Sequence, residues 1–574
     1  MADSCEPRRG DTIQTTAESL RPFLPSLALV LKCSLHIAMF SQITLRPRKA
    51  PSRASWLALS FFLVPILVLA QNPAPRPVAN QTSAEKLASL NLEAARANPL
   101  ALHALLVRMP KGGDLHVHLT GAVYAETFIR DAIEDHLCVD PQTFAFVKPQ
   151  SGQPAAGASE PSCAAGDVPV SKSIDDPHLY NGMVDAFSIR SFVPSSGVSA
   201  HDHFFDAFAK FGGTNPSHLG EWLDEVATRA AAQNEQYLEL MYTPPFPHAS
   251  ALAAQIQLND DLQQPWIYLL AKGIEGDVTI ARDTLDQGEA RRRQIEKCGE
   301  ANASPACNVQ IRFLYQVLRE APKERVFAQT LVGFLVASAD PLVVGINYVQ
   351  PEDGYTSMTD YALHMRIVGF FHAAYPNVHI SLHAGELAPG LVPPDGLCCH
   401  VRLAVEQAHA DRIGHGVDVM YEDHPHDLLK EMARLHVMVE INLSSNDAIL
   451  GVSGKDHPFP IYRQFGVPVA LSTDDEGVSR IDLTHEYVRA VETYGLHYAD
   501  LKQMVRTSLE HSFLPGKSLW QEQDSFTRPV AACSRNTLGS DKPSAGCAAF
   551  LDSSEKATQQ WELERRFSSF ESSF

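Results

Sequence analysis

The sequence predicts an α/β protein folded as a (β/α)8 barrel of the TIM type. Short apolar, strand-like runs alternate with longer helix-like stretches, there are eight such runs, and polar residues recur at the C-terminal ends of many of them. The runs are 114–119, 237–243, 309–318, 343–349, 379–386, 412–417, 437–443 and 468–474. Helical patterns such as 218–233, 361–375 and 426–435 lie between them, each near the size of a crossover helix. Alternation of this kind implies a parallel sheet with both faces covered, and eight units suffice to close a barrel. An open doubly wound sheet is the main competitor. The barrel is favoured because barrel active sites draw residues from the C-terminal ends of several different strands.

The N-terminal region is set aside from the fold. Arg46, Arg48, Lys49 and Arg53 precede an apolar run over 56–69 that closes on Val68-Leu69-Ala70 and is followed by Gln71-Asn72-Pro73. This is the form of a secretory signal peptide, with cleavage expected after Ala70. The run is short for a membrane anchor, which needs about 20 apolar residues, so an uncleaved anchor is the weaker alternative. A leader of ordinary length begins at Met39, which makes residues 1–38 a mis-called extension and 39–70 the signal peptide. Residues 71–82 read as a linker, and 83–574 as one barrel domain with its core over 109–514.

Within that domain, Leu87, Leu90, Leu92 and Ala95, then Leu100, Leu102, Leu105 and Leu106, predict an N-terminal helical extension leading into the first strand. Residues 140–176 are rich in Pro, Gly, Ser and Ala and form a surface insertion within 138–176. After the last strand, 501–514 is helical, 521–549 is a loop carrying two cysteines, and the appendage 515–574 ends in a stripe of Leu563, Phe567, Phe570 and Phe574 that packs on the barrel.

Composition limits the function. Lys and Arg number 47 against 67 Asp and Glu, a net charge of −20, with no basic block. Nucleic acid and anionic membranes are poor partners for such a chain. Eight cysteines follow the leader, clustered as Cys138 with Cys163, Cys298 with Cys307 and Cys533 with Cys547, and with Cys398-Cys399 either a vicinal pair or two free thiols. Such clustering fits an oxidising compartment, periplasmic or extracellular, and none of the eight sits in a CxxC motif.

Residues suited to a divalent cation stand at several strand ends. Asp114-Leu115-His116-Val117-His118 places two imidazoles at i and i+2, on one side of a strand. Alone, such a pair is equally well two buried histidines. The fifth run ends in Ser381-Leu382-His383-Ala384-Gly385-Glu386 and the eighth in Leu471-Ser472-Thr473-Asp474-Asp475. His116, His118, His383 and Asp474 together make an N3O ligand set for a metal such as Zn2+, one per chain, with room for a water. Glu386 then faces the substrate, His415 at the sixth strand end orients or deprotonates the water, and Asp475 hydrogen-bonds the substrate. Each has a structural alternative in an ordinary polar network; their recurrence around one end of a barrel favours the joint reading.

Met109-Pro110-Lys111 through Gly121, His383-Ala384-Gly385-Glu386, Gly414-His415-Gly416, Ser445-Asn446 and Ser472-Thr473-Asp474-Asp475 resemble the adenosine deaminase family. The opening motif, the leader and the cysteine-bearing insertion look most like its secreted growth-factor branch. The resemblance implies a zinc amidohydrolase that converts adenosine, and 2'-deoxyadenosine, to inosine and ammonia. It implies His116, His118, His383 and Asp474 as zinc ligands, Glu386 as the acid that protonates purine N1, His415 and Asp474 acting on the attacking water, and Asp475 at N7. His118 also lies on the substrate side. Two positions depart from the family: Thr120 stands where an Asp is common, and Gln350 where a Gly backbone contacts the purine. Both are candidate substrate contacts, so adenine, a modified adenine nucleoside or AMP remain alternative substrates. Phe204 and Phe208, within 203–211, resemble the helix that lids the pocket, with core packing as the alternative. A catalytically inactive nucleoside-binding or signalling protein is the reading from another class. The partner expected is a small purine nucleoside, with no nucleic acid and no stable membrane anchor after cleavage; a homodimer is compatible with the sequence.

Overall fold

Eight strands run in sequence order around one sheet: β1 Gly112–His118, β2 Glu235–Tyr242, β3 Gln310–Leu318, β4 Val343–Val349, β5 His379–Ala384, β6 Arg412–His415, β7 Met438–Ile441 and β8 Val469–Leu471. Every neighbouring pair is parallel. The computed structural model describes residues 82–150, 161–195 and 197–574. The expected start at Met39, the leader and the linker up to Gln81 lie outside the described residues.

The ring closes between β8 and β1 by backbone pairing just beyond the end of β8. The Asp474 N–H donates to the His116 carbonyl at 2.9 Å and the His118 N–H to the Asp474 carbonyl at 3.0 Å. Asp114 reinforces the seam: its Oδ2 accepts from the Thr473 N–H at 3.1 Å and from the Thr473 hydroxyl at 2.7 Å. This is a (β/α)8 barrel. Each strand overlaps a predicted run, but the last four stop two or three residues short of their predicted ends. For β5 and β6 the reason is local: Gly385 and His415 lie at φ 75° and 69°, so the chain leaves the extended conformation there.

Parallel strands covered on both faces should be almost wholly apolar. Besides Asp114, a network of three charged residues breaks that rule inside the barrel. Arg412 on β6 donates to Glu239 of β2 and to Glu440 of β7, each at 2.6 Å, and all three side chains are fully buried. Buried charges are tolerated when paired in this way. Glu440 also accepts from the Ser381 hydroxyl at 3.0 Å and makes a 2.5 Å contact with Nδ1 of His116, so the network reaches the site above it.

The predicted crossover helices are present as Leu219–Ala232, Tyr355–Ala374 and Pro425–Leu435. The N-terminal extension is two helices. Ser83–Ala95 opens with a capping box between Thr82 and Glu85, and Pro99–Leu106 with an Asn98 cap and proline in its first turn, each satisfying N–H groups that a helix start leaves unpaired. Leu92, Leu102 and Leu106 are fully buried. The final helix, Glu555–Glu571, buries Leu563, Phe567 and Phe570 in the main core, as its stripe predicts. Lys502, on helix Tyr498–Glu510, bridges Glu85 at 2.5 Å and Glu571 at 2.6 Å, joining the two ends of the described chain. The insertion carries a small antiparallel sheet of Cys138–Val139, Phe146–Val147 and Val168–Pro169.

The three expected cysteine pairs are in bonding contact, with Cα separations of 5.7 Å for Cys138 and Cys163, 5.5 Å for Cys298 and Cys307, and 4.7 Å for Cys533 and Cys547; the adjacent Cys398 and Cys399, for which the sequence leaves two readings open, are also in bonding contact, at 3.4 Å. Peptide mapping without reduction is expected to recover these pairs. Cys533 and Cys547, 14 residues apart and both fully buried in a satellite cluster with Trp520 and Trp561, should stabilise the C-terminal loop by about 3 kcal/mol. Recovery of both as free thiols from protein purified without reductant would contradict that expectation.

Candidate active site

At the C-terminal mouth of the barrel, β1, β5 and the turn after β8 bring together the four predicted ligands. His116 and His118 project from β1 to one side, as the i and i+2 spacing requires. Their Nε2 atoms each lie 3.1 Å from Nε2 of His383. Asp474 Oδ1 stands 3.5 Å from His116 Nε2 and 3.3 Å from His118 Nε2.

The ring nitrogens facing one another form a group able to hold a cation, and the opposite ring edges show how. His383 Nδ1 contacts Asn347 Oδ1 at 2.8 Å, His118 Nδ1 contacts Gln316 Oε1 at 2.9 Å, and His116 Nδ1 contacts Glu440 Oε2. Each partner is an oxygen that accepts, so each Nδ1 carries the proton and each Nε2 presents a lone pair. Gln316 is oriented for this because its Nε2 donates to the Thr243 hydroxyl at 3.1 Å. Three lone pairs and a carboxylate oxygen therefore converge. Ligands about 2.0–2.1 Å from a tetrahedral ion stand roughly 3.3 Å apart, which matches this spacing. The outer partners that set the tautomers are those a metal-binding histidine requires.

His415 also contributes a ring nitrogen to the cluster with His116, His383 and Asp474. It stands further out than His118: its Nε2 is 3.9 Å from Asp474 Oδ2, and its Nδ1 is taken by the Asn446 amide at 2.9 Å. On distance to Asp474, His118 fits the third imidazole position better than His415, which flanks the cluster.

Glu386 follows β5 and is aimed by a carboxylate below it. Glu352 accepts from the N–H of Gly385 and of Glu386, both at 2.9 Å, while its Oε1 also contacts His400 Nδ1 at 2.5 Å. Burial opposes ionisation of Glu352, but His400, Arg319 and the backbone N–H overcome it and hold the carboxyl down at about 2. Gly385 is at φ 75°, and a Cβ there would meet Asp418 at 2.4 Å, so only glycine allows this turn. Glu386 Oε1 ends 3.6 Å from His415 Nδ1. Burial, then Asp474 and Glu352, push the Glu386 carboxyl well above the usual range. Asp475 is raised well above its ordinary value by burial and by Asp474, and its Oδ1 is buried without a partner among the described residues. A Cβ on Gly121 would collide with that oxygen.

Asp474, His415 and Gln350 all adopt positive φ without being glycine. Such strain concentrates where a side chain must be aimed. The Ser445 hydroxyl donates to Asp474 Oδ2 at 2.6 Å.

The predicted substrate contacts are less uniformly gathered. Asp475 and His118 lie in the cluster. Thr120 is half-buried in the single turn Leu119–Ala122 beside it. Gln350 is exposed, its side-chain oxygen accepting from the Glu320 N–H at 3.0 Å and its carbonyl from Arg319 at 2.9 Å, so its amide is engaged on the segment that follows β3. Phe204 is buried and packs on Phe205 and Phe208 in helix Ala200–Phe211, which leans on helix Leu443–Leu450 beyond β7.

Glu440, Asn347, Gln316, Glu352 and His457 were not expected from the sequence. Only Glu440 left a signal, as a charge inside an apolar strand. The others acquire meaning from partners 33 to 198 residues away, apart from His457, whose partner Asn446 lies 11 residues back.

A family model described as adenosine deaminase matches residues 221–521. Among curated proteins, an adenosine deaminase of Clostridium perfringens is 34% identical over 135 residues, which is 23% of this chain and 37% of the relative. An adenine deaminase of Rhizobium leguminosarum is 31% identical over 183 residues, 32% of this chain and 51% of the relative. The chain thus spans from about a third to about half of the length of these curated relatives. The solved structure of an adenine deaminase from Arthrobacter aurescens aligns at 15% identity with a TM-score of 0.46, covering 71% of this chain and 94% of that one.

Proposed function

The chain belongs to the adenosine deaminase family, and from that premise we propose that it is a metal-dependent aminohydrolase releasing ammonia from an adenine-type purine, with adenosine and 2'-deoxyadenosine the favoured substrates. The observation that carries this reading is the convergence of three imidazole lone pairs and the Asp474 carboxylate beside a buried, raised carboxyl at Glu386.

His116, His118, His383 and Asp474 would hold a divalent cation, which when bound would lower the pKa of a water from 15.7 to about 7 and so supply hydroxide near neutral pH. Zinc suits an N3O set of this kind. Burial, Asp474 and Glu352 disfavour the Glu386 anion and so favour its protonated form. Glu386 donates to the ring nitrogen adjacent to the attacked carbon, while Asp475 meets the nitrogen on the far ring. His415 and Asp474 hold the attacking water and its proton. Ser445 holds Oδ2 of Asp474 on the His415 side and so leaves Oδ1 toward His116 and His118.

Adenine, a modified adenine nucleoside or AMP is the second reading, favoured by Gln350, whose amide is engaged away from the ligands, and by Thr120. A phosphate-bearing substrate would need a cradle of Arg, Lys or free N–H groups. Export, in the manner of the secreted branch, is part of the proposal. It is supported by the leader-like 39–70 and the paired cysteines; among the described residues no helix is long and apolar enough to cross a membrane.

The test is ammonia release by the purified chain from adenosine, 2'-deoxyadenosine, adenine and AMP, with metal analysis of the same sample. Turnover of adenosine with about one zinc per chain is expected, lost on chelation and restored by metal. Turnover of adenine alone would select the second reading, and no turnover of any of the four by the metal-replete chain would overturn both.

A further inference from the structure

We propose that Asn446 and His457 are positioning residues that hold His415 in one tautomer, with the proton on Nε2, so that it offers the site a hydrogen-bond donor and not a base.

The inference follows a chain of hydrogen bonds whose sense is set at one end. The backbone N–H of Phe459 donates to His457 Nδ1 at 3.1 Å. A backbone N–H can only donate, so His457 Nδ1 carries no proton and Nε2 does. That Nε2 lies 3.0 Å from Asn446 Oδ1 and donates to it. The orientation of the Asn446 amide is thereby decided: its oxygen faces His457, and its Nδ2 donates to His415 Nδ1 at 2.9 Å. His415 Nδ1 is an acceptor, and the ring proton sits on Nε2, the atom that faces Asp474 Oδ2 at 3.9 Å. A second amide, Asn442 Nδ2, lies 3.4 Å from Nδ1 and 3.5 Å from Nε2 and so does not choose between the two nitrogens; Asn446 alone does.

The three side chains are shut away from water, His415 and Asn446 fully and His457 at 2% exposure, so solvent does not compete for these bonds. Burial, with Arg489 nearby, pushes His457 down to about 4 and keeps it neutral, as acceptance at Nδ1 requires. The backbone secures both ends. Asn446 sits in helix Leu443–Leu450, its own N–H donating to the Asn442 carbonyl at 2.9 Å, and His457 immediately precedes the Pro458 that caps helix Phe459–Phe465.

The consequence divides the labour at the water. An imidazole with Nε2–H cannot remove a proton through that atom, whereas Asp474 can accept one. His415 orients the water and Asp474 is left as the acceptor. This division of roles rests on the deaminase reading; the tautomer does not.

The deciding measurement is a long-range 1H–15N spectrum of the metal-loaded, histidine-labelled protein, with His415 assigned by its loss in His415→Gln. The expected result is a His415 ring protonated at Nε2 and bare at Nδ1. Asn446→Asp replaces the donor by an acceptor and should move the proton to Nδ1. It should also lower kcat by about 10²-fold or more with KM little changed, since a misplaced tautomer costs a catalytic imidazole up to about 10⁴. His457→Gln keeps a side-chain donor for Asn446 and should stay within a few-fold of the parent, while His457→Leu should lose about tenfold or more, as outer partners commonly do. A parent spectrum with the proton on Nδ1, or an unchanged spectrum in Asn446→Asp, overturns the proposal even if the leucine variant fails to fold. The expected spectrum in a protein that deaminates no purine would leave the tautomer standing and remove the deaminase reading alone.

Discussion

Glu386→Gln is expected to lower kcat by about 10²- to 10⁴-fold while leaving metal content unchanged. Glutamine preserves shape and can still hydrogen-bond the purine nitrogen through its amide, so KM should move little; it cannot surrender a proton. Metal content should hold because Glu386 lies outside the ligand set and its backbone stays anchored on Glu352. The pH dependence has a definite sign. Burial and the neighbouring carboxylates raise the Glu386 carboxyl, so the acid persists above the ordinary carboxylate range and is lost as pH rises through its folded value. The parent's kcat/KM should therefore fall on the alkaline side through a limb that the glutamine variant lacks. Activity within a few-fold of the parent would remove Glu386 from the acid role. Steady-state kinetics over pH, with metal analysis of both proteins, decides it.

Glu440 carries the second large effect, through two variants that fail differently. Glu440→Ala removes the partner of Arg412 Nε, of the Ser381 hydroxyl and of His116 Nδ1 together. Breaking a buried pair costs about 3–5 kcal/mol; the low end is expected here, because Glu239 still holds Arg412 at 2.6 Å. Glu440→Gln conserves volume and can still accept from Arg412. Its amide nitrogen then faces His116, and two donors cannot share that contact. The His116 proton is driven to Nε2, where the cation should bind, and metal affinity should fall about 10- to 100-fold with little loss of stability. Denaturant unfolding and chelator competition separate the two outcomes. A glutamine variant that binds metal as tightly as the parent would show that Glu440 does not set the His116 tautomer.

Much of this site was legible because barrel chemistry leaves residues at strand ends. His116 and His118 stand two apart in a strand, and alternation alone puts them on one side. His383 and Asp474 were legible as polar residues closing apolar runs. Glu352 was not, because nothing local distinguishes it from a solvated loop carboxylate; its role exists only once β4 and β5 stand side by side and the Gly385–Glu386 N–H groups meet it. Gln350 shows the reverse. Its position suggested a substrate contact, yet the folded loop engages its amide on Glu320.

By itself, then, the sequence determined the barrel, the order of its strands and the identity of the four candidate ligands, since each depends on periodicity or on neighbours within a few residues. Tertiary structure alone decided the protonation of those ligands. Which nitrogen of His116, His118, His383 or His415 is bare depends on Glu440, Gln316, Asn347 and Asn446, contributed by other strands and the helix after β7. A hydrogen bond has a direction, and that direction is set across the barrel, where distance along the chain carries no information.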